Sequence, residues 1–188
     1  MDNPFDPKPQ NANMLAFKAA LCYGFYFLVL LFLFDWMGIN TGDPNTSLVE
    51  KAITFIASWG PFVLAILYVQ TSFKKDLGGY ITFGKAFKTG FAVAAYSGLV
   101  LAILMILYYK VLSPGSYQKI IDVALRGAGD DENKRKGIEM MRPYMIAFIG
   151  FGAAISYTFF GLLISLVGAA IIKKEQPFGY VEEVTEIQ

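Results

Sequence analysis

The sequence predicts an all-α, polytopic membrane protein: four transmembrane helices, with a short amphipathic helix in the loop before the fourth. Three observations predict it. Hydrophobic residues make up 55% of the 188-residue chain and charged residues only 16%, where a soluble domain carries about a quarter charged. The charges lie in blocks between long apolar runs. Each of four runs is long enough to cross a hydrocarbon core of about 30 Å.

Residues 1–13 hold three prolines and no apolar period, so they read as a disordered tail. The first span covers residues 15–34 and is interrupted only by Lys18, which can snorkel to the interface. It reads as an uncleaved helix because Asp35-Trp36-Met37-Gly38 is not a small-x-small cleavage site. A turn-rich loop with Asp43-Pro44 follows. Ser47 and Glu50 then form a capping box that opens the second span, residues 52–69. Pro61 sits in its middle and is expected to kink it, because proline removes one backbone donor.

Lys74, Lys75 and Asp76 close that run, and Gly78-Gly79 turns the chain. The third span, residues 91–109, carries no charge. Next comes the longest polar segment, in which Ser113-Pro114-Gly115 breaks the helix. Residues 117–126 place Ile120, Ile121, Ala124 and Leu125 at helical spacing, as in a short helix lying on the membrane. In residues 130–136 acids precede bases, which suits a helix start. The fourth span, residues 144–172, is 29 residues without a charge and, being longer than the core, is expected to tilt. Residues 173–188 form a tail with Lys173 and Lys174 first and Glu182, Glu183 and Glu186 later. The transmembrane domain is thus residues 14–172.

Small residues recur every four positions at Gly161, Ser165 and Ala169, at Gly152 and Ser156, and at Ala94, Gly98 and Ala102. That spacing lets helix backbones approach closely. Gly98, Gly161 and Ser165 are therefore candidate packing positions, within the chain or between copies. Thr54, Ser58, Tyr96, Ser97, Ser156, Tyr157, Thr158 and Ser165 are the polar candidates inside the spans.

Several function classes fall away. There is no histidine and a single cysteine, Cys22, which excludes an internal disulfide and nucleophile–histidine catalysis. No cofactor or metal is expected. Net charge is +1, with no field for nucleic acid. Residues 79–86, G-Y-I-T-F-G-K-A, resemble a phosphate loop but lack the final hydroxyl and a preceding strand. Nucleotide is therefore not expected. Thr82 reads instead as the N-cap of a helix starting at Phe83, from which Lys85 and Lys88 can reach lipid phosphates. No span has a charge near its centre, which disfavours ion-coupled transport.

Lysines and arginines divide eight to each side of the four spans. The loop between the first two spans holds one base, Lys51, whereas Lys74, Lys75, Lys85 and Lys88 crowd the central turn. Both termini are accordingly expected in the cytoplasm.

The stretch Gly79-Tyr80-Ile81-Thr82-Phe83-Gly84, the following Ala86-Phe87-Lys88 and the polar loop before the fourth span together resemble domain-of-unknown-function family 4199. These are small four-span membrane proteins common in the Bacteroidetes. The resemblance covers residues 14–172. It implies a bacterial inner-membrane location and no catalytic residue. Lys85 departs from the acidic residue associated with that position. The expectation is a non-enzymatic structural or interaction component, whose partners are the bilayer and a second copy or another membrane protein. The alternative is a transporter or channel for a small solute or lipid, suggested by Pro61 and the glycine-rich fourth span.

Overall fold

The computed structural model describes residues 11–39 and 46–175. The expected N-terminal tail up to residue 10, the Asp43-Pro44 turn and the acidic C-terminal residues lie outside these. Five α-helices follow in order: α1 Ala12–Trp36, α2 Leu48–Asp76, α3 Phe83–Leu107, α4 Pro114–Ala128 and α5 Glu132–Ile172. A π-helical segment, Tyr108–Leu112, continues α3. Four helices are long and apolar enough to cross a membrane: α1, α2, α3 with its π-helical extension, and α5.

The spans overrun the hydrophobic runs because their ends are capped. Ser47 accepts from the Glu50 amide at 3.2 Å while Glu50 accepts from the Ser47 amide at 3.0 Å, which is the expected capping box. At the end of α2 the amide of Gly79 donates to Lys74 and that of Gly78 to Lys75. Both glycines have positive φ, +75° and +88°, a conformation L side chains rarely adopt. This is a Schellman closure, and it explains why α2 ends at Asp76 and not at residue 69. The end of α1 closes in the same way on Gly38 and Ile39.

Helix α3 is the centre of the bundle, packed most extensively on α5 and next on α1. The start of α1, the end of α2, the start of α3 and the end of α5 share one end of the bundle, the tail end. There Ile81 and Lys174 exchange two backbone hydrogen bonds of 2.9 Å. Thr82 does precede α3, but its side chain makes no capping bond; the antiparallel bridge at Ile81 fixes the approach to the helix instead.

The opposite, far end carries α4. It is longer than the expected helix and packs back on the first part of α5. Tyr117 donates to the Arg142 carbonyl, and Arg142 donates to Gln118 at 2.6 Å. Helix α5 runs unbroken through Pro143 for 41 residues, about 60 Å at 1.5 Å per residue. Its charged first part, residues 132–142, therefore extends beyond a hydrocarbon core of about 30 Å. Asp131 caps it.

Outward-facing positions are as apolar as inward ones. Phe25, Phe55, Leu64, Ile103, Phe151 and Ile171 are all more than half exposed. In water such a surface would far exceed the patches soluble monomers tolerate; against lipid it is the expected exterior.

Candidate functional site

Three clusters gather the polar side chains of the bundle. The first is a junction of α2, α3 and α5 near the tail end. Gln70 is fully buried there. Its Nε2 donates to the carbonyls of Ala86 at 3.1 Å and Ser165 at 3.0 Å. Two carbonyl partners fix the amide orientation, since the reversed amide would set oxygen against oxygen. Its Oε1 has no hydrogen-bond partner and faces the bare α-carbon of Gly168. A Cβ on Gly168 would stand 2.2 Å from Oε1, and one on Gly90 would stand 2.4 Å from Nε2. Both glycines make the space the amide occupies. The Ser165 hydroxyl donates to the Gly161 carbonyl at 2.6 Å.

The same helix pair carries the expected small-residue positions. A Cβ on Gly161 would lie 2.3 Å from the Ala94 Cβ and 2.9 Å from Phe62. One on Gly98 would lie 2.8 Å from the Ala154 carbonyl oxygen. Gly98, Gly161 and Ser165 are thus in contact within the chain. Gly152 and Ser156, by contrast, are exposed, and nothing approaches Gly152. The buried register of α5 runs through Gly150, Tyr157, Gly161, Ser165 and Gly168.

The second cluster surrounds Pro61, through which α2 continues. Proline has no amide hydrogen, so the carbonyl of Ala57, four residues earlier, loses its helical donor. Tyr26 of α1 donates to that carbonyl at 2.9 Å, and Tyr23 donates to the neighbouring Ser58 carbonyl at 2.8 Å. An aromatic layer holds the tyrosines in place. Trp59 stacks on Tyr157 at 4.6 Å, Phe62 meets Tyr157 edge-on at 5.0 Å, and Tyr23 leans on Phe62 at 5.3 Å.

The third cluster lines an open cleft of about 300 Å³ at the far end, between α1, α4 and the π-helical segment. Lys119 pairs with Asp35 at 2.7 Å. Ser113 reaches the same carboxylate at 3.4 Å and exchanges a 2.8 Å bond with Ser116. The pair ties α4 to the end of α1.

The expected lipid-contact lysines sit at the tail end. Lys85 and Lys88 are exposed on the first two turns of α3 and flank a shallow cavity of about 270 Å³ that also touches Ala12, Phe73 and Leu77. Their neighbours have other work. Lys74 donates to the carbonyl of Ile172 at 2.8 Å, closing the end of α5, and Lys174 lies 5.1 Å over the Tyr80 ring.

Sequence reasoning missed Gln70, the Tyr23 and Tyr26 caps and the Asp35–Lys119 pair. Gln70 stands beside Thr71, Ser72, Lys74 and Lys75, and that polarity reads as a loop. Its signal was Gly90, which extends the Ala94, Gly98 and Ala102 period by one step, and Gly168, one residue off the Gly161, Ser165 and Ala169 series. Among the described residues, no group of three or more Asp, Glu or Cys side chains stands close enough together to hold a metal ion.

The family model described as protein of unknown function (DUF4199) matches residues 20–174. No curated protein and no solved structure matches the chain.

Proposed function

The chain belongs to the DUF4199 family of proteins of unknown function, and within it we propose a structural or interaction component of the bacterial inner membrane, with both termini in the cytoplasm. It is not an enzyme on this reading. Its partners are the bilayer, with Lys85 and Lys88 on lipid phosphates, and a second copy or another membrane protein. One observation carries it. The polar side chains brought together inside the bundle, Gln70, Tyr23, Tyr26 and Ser165, donate to backbone carbonyls. Such bonds hold helices together, each typically by about 0.6 kcal/mol and at most about 2, and leave little reactive chemistry in the interior. The alternative, passage of a small solute, drew on Pro61 and the α5 glycines. Here the proline gap is covered by Tyr26, and Gly161 and Gly168 are filled by Ala94, Phe62 and Gln70.

The test is co-purification of the tagged full chain from its native membrane in mild detergent, together with solute flux in reconstituted vesicles. The reading expects a reproducible membrane-protein partner or a homo-oligomer, and no flux. A strictly monomeric protein that brings down nothing, or vesicles that pass a solute, would overturn it.

A further inference from the structure

We infer that the groove between α1 and α2 binds one anionic phospholipid, an acyl chain along its floor and the phosphate at Lys18. The inference rests on the membrane-spanning fold and is independent of the function proposed above. The groove measures about 570 Å³, within the range of about 300–1,000 Å³ that holds small molecules. Lys18, Ala19, Cys22, Tyr23, Pro61 and Ala65 are among its lining residues. The small side chains of Ala19 and Ala65 keep the two helices from filling it.

Its floor is apolar for a specific reason. Pro61 would leave a bare carbonyl beside the groove, but Tyr26 and Tyr23 donate to the carbonyls of Ala57 and Ser58. None of the unpartnered buried polar atoms belongs to the lining. A hydrocarbon chain suits such a floor; a polar solute does not.

Charge selects the headgroup. Lys18 is the one charged residue in the lining, is exposed, and has no ion pair among the described residues. It lies eight residues before Tyr26, about 12 Å along the helix. The groove thus has a cation at its tail-end rim and an apolar run toward the bundle centre, which is the polarity of a phospholipid. A second copy seated symmetrically here would bring two Lys18 side chains to the same membrane depth, and their repulsion is weakly screened in that medium.

The experiment counts lipids retained by the full chain with native mass spectrometry, in micelles doped with phosphatidylglycerol or phosphatidylcholine. Wild type is expected to keep one phosphatidylglycerol in preference to phosphatidylcholine. Lys18→Gln should lower that preference about fivefold, the factor that one lysine supplies at a membrane surface. Cys22→Trp fills the groove from an exposed position and should lose retention of both lipids, with the circular dichroism spectrum unchanged. If that variant misfolds, Lys18→Gln is decisive alone. Equal retention of the two lipids by wild type overturns the site, as does full retention by folded Cys22→Trp. A loss in Lys85→Gln/Lys88→Gln as large as in Lys18→Gln gives the lipid to α3 and also overturns it. So does a Cys22–Cys22 disulfide on mild oxidation of native membranes, which gives the groove to a second copy.

Discussion

The Gln70 junction and the Pro61 layer answer opposite problems with the same kind of bond. At Pro61 the Ala57 carbonyl is short of a donor, and the Tyr26 hydroxyl from α1 repairs it, while Tyr23 adds a donor to the neighbouring Ser58 carbonyl. At Gln70 the side chain is the one in need. Its amide hydrogens take up carbonyls that already sit inside regular helices, α3 and α5, and its oxygen has no partner. Removing the Tyr26 hydroxyl therefore exposes a backbone defect, whereas removing the Gln70 amide exposes none. Gln70 and Tyr23 are buried and Tyr26 is 39% exposed, yet it is Tyr26 that completes the backbone.

The largest expected effect lies in the packing that brings both layers together. Gly161→Leu drives atoms into Ala94 and Phe62, and Gly98→Leu drives them into backbone at Ala154. Each should cost about 3 kcal/mol, the upper part of the usual overpacking range, read as a lowered thermal midpoint in detergent. Exposed Gly152→Leu should leave the midpoint in place. An equal response at Gly152 and Gly161 would mean that the buried register of α5 is wrong.

Next in size, Gln70→Glu sets a carboxylate against two carbonyls in a buried site. A charge there without a partner is costly, so this variant should be much less stable at neutral pH and should recover in acid. Protonation in acid removes that buried charge, so the recovery at low pH reads the burial of the site. A pH-independent midpoint would contradict the burial. Gln70→Met should cost only about 1 kcal/mol, because it removes both the bonds and the unpaired oxygen.

The tyrosine caps come third, at about 1 kcal/mol each for Tyr23→Phe and Tyr26→Phe. The smallest change is expected from Lys119→Ala at the far end. Its side chain is 58% exposed, and exposed pairs contribute about 0–1 kcal/mol. A large loss there would show that α4 is held to the bundle by Asp35 and not by its packing on α5.

What could be read from the sequence follows the length of the interaction. The spans, the Ser47–Glu50 box and the turn at Gly78-Gly79 depend on neighbours within a few residues, and hydropathy or spacing exposes them. The small-residue stripes were legible as a period but not as a face: Gly161 turned inward and Gly152 outward. Gln70 was hidden because one buried amide in a run of polar residues has no pattern of its own. The partnership of Tyr26 with Ala57 spans 31 residues, and nothing local to either tyrosine announces it. Pro61 marked the position of the need without saying which helix would answer.

That partnership offers the most direct test of the claim that a tyrosine of α1 completes the backbone that Pro61 leaves open. In a double-mutant cycle with Pro61→Ala, the new amide restores the donor to Ala57. Tyr26→Phe should then lose most of its penalty, with a coupling of about 1 kcal/mol between the two sites, measured from unfolding in detergent. Gln70→Met in the same Pro61→Ala background should be additive. If Tyr26→Phe costs the same with alanine as with proline at position 61, the hydroxyl does not serve the proline gap, and the account of the bundle's interior fails.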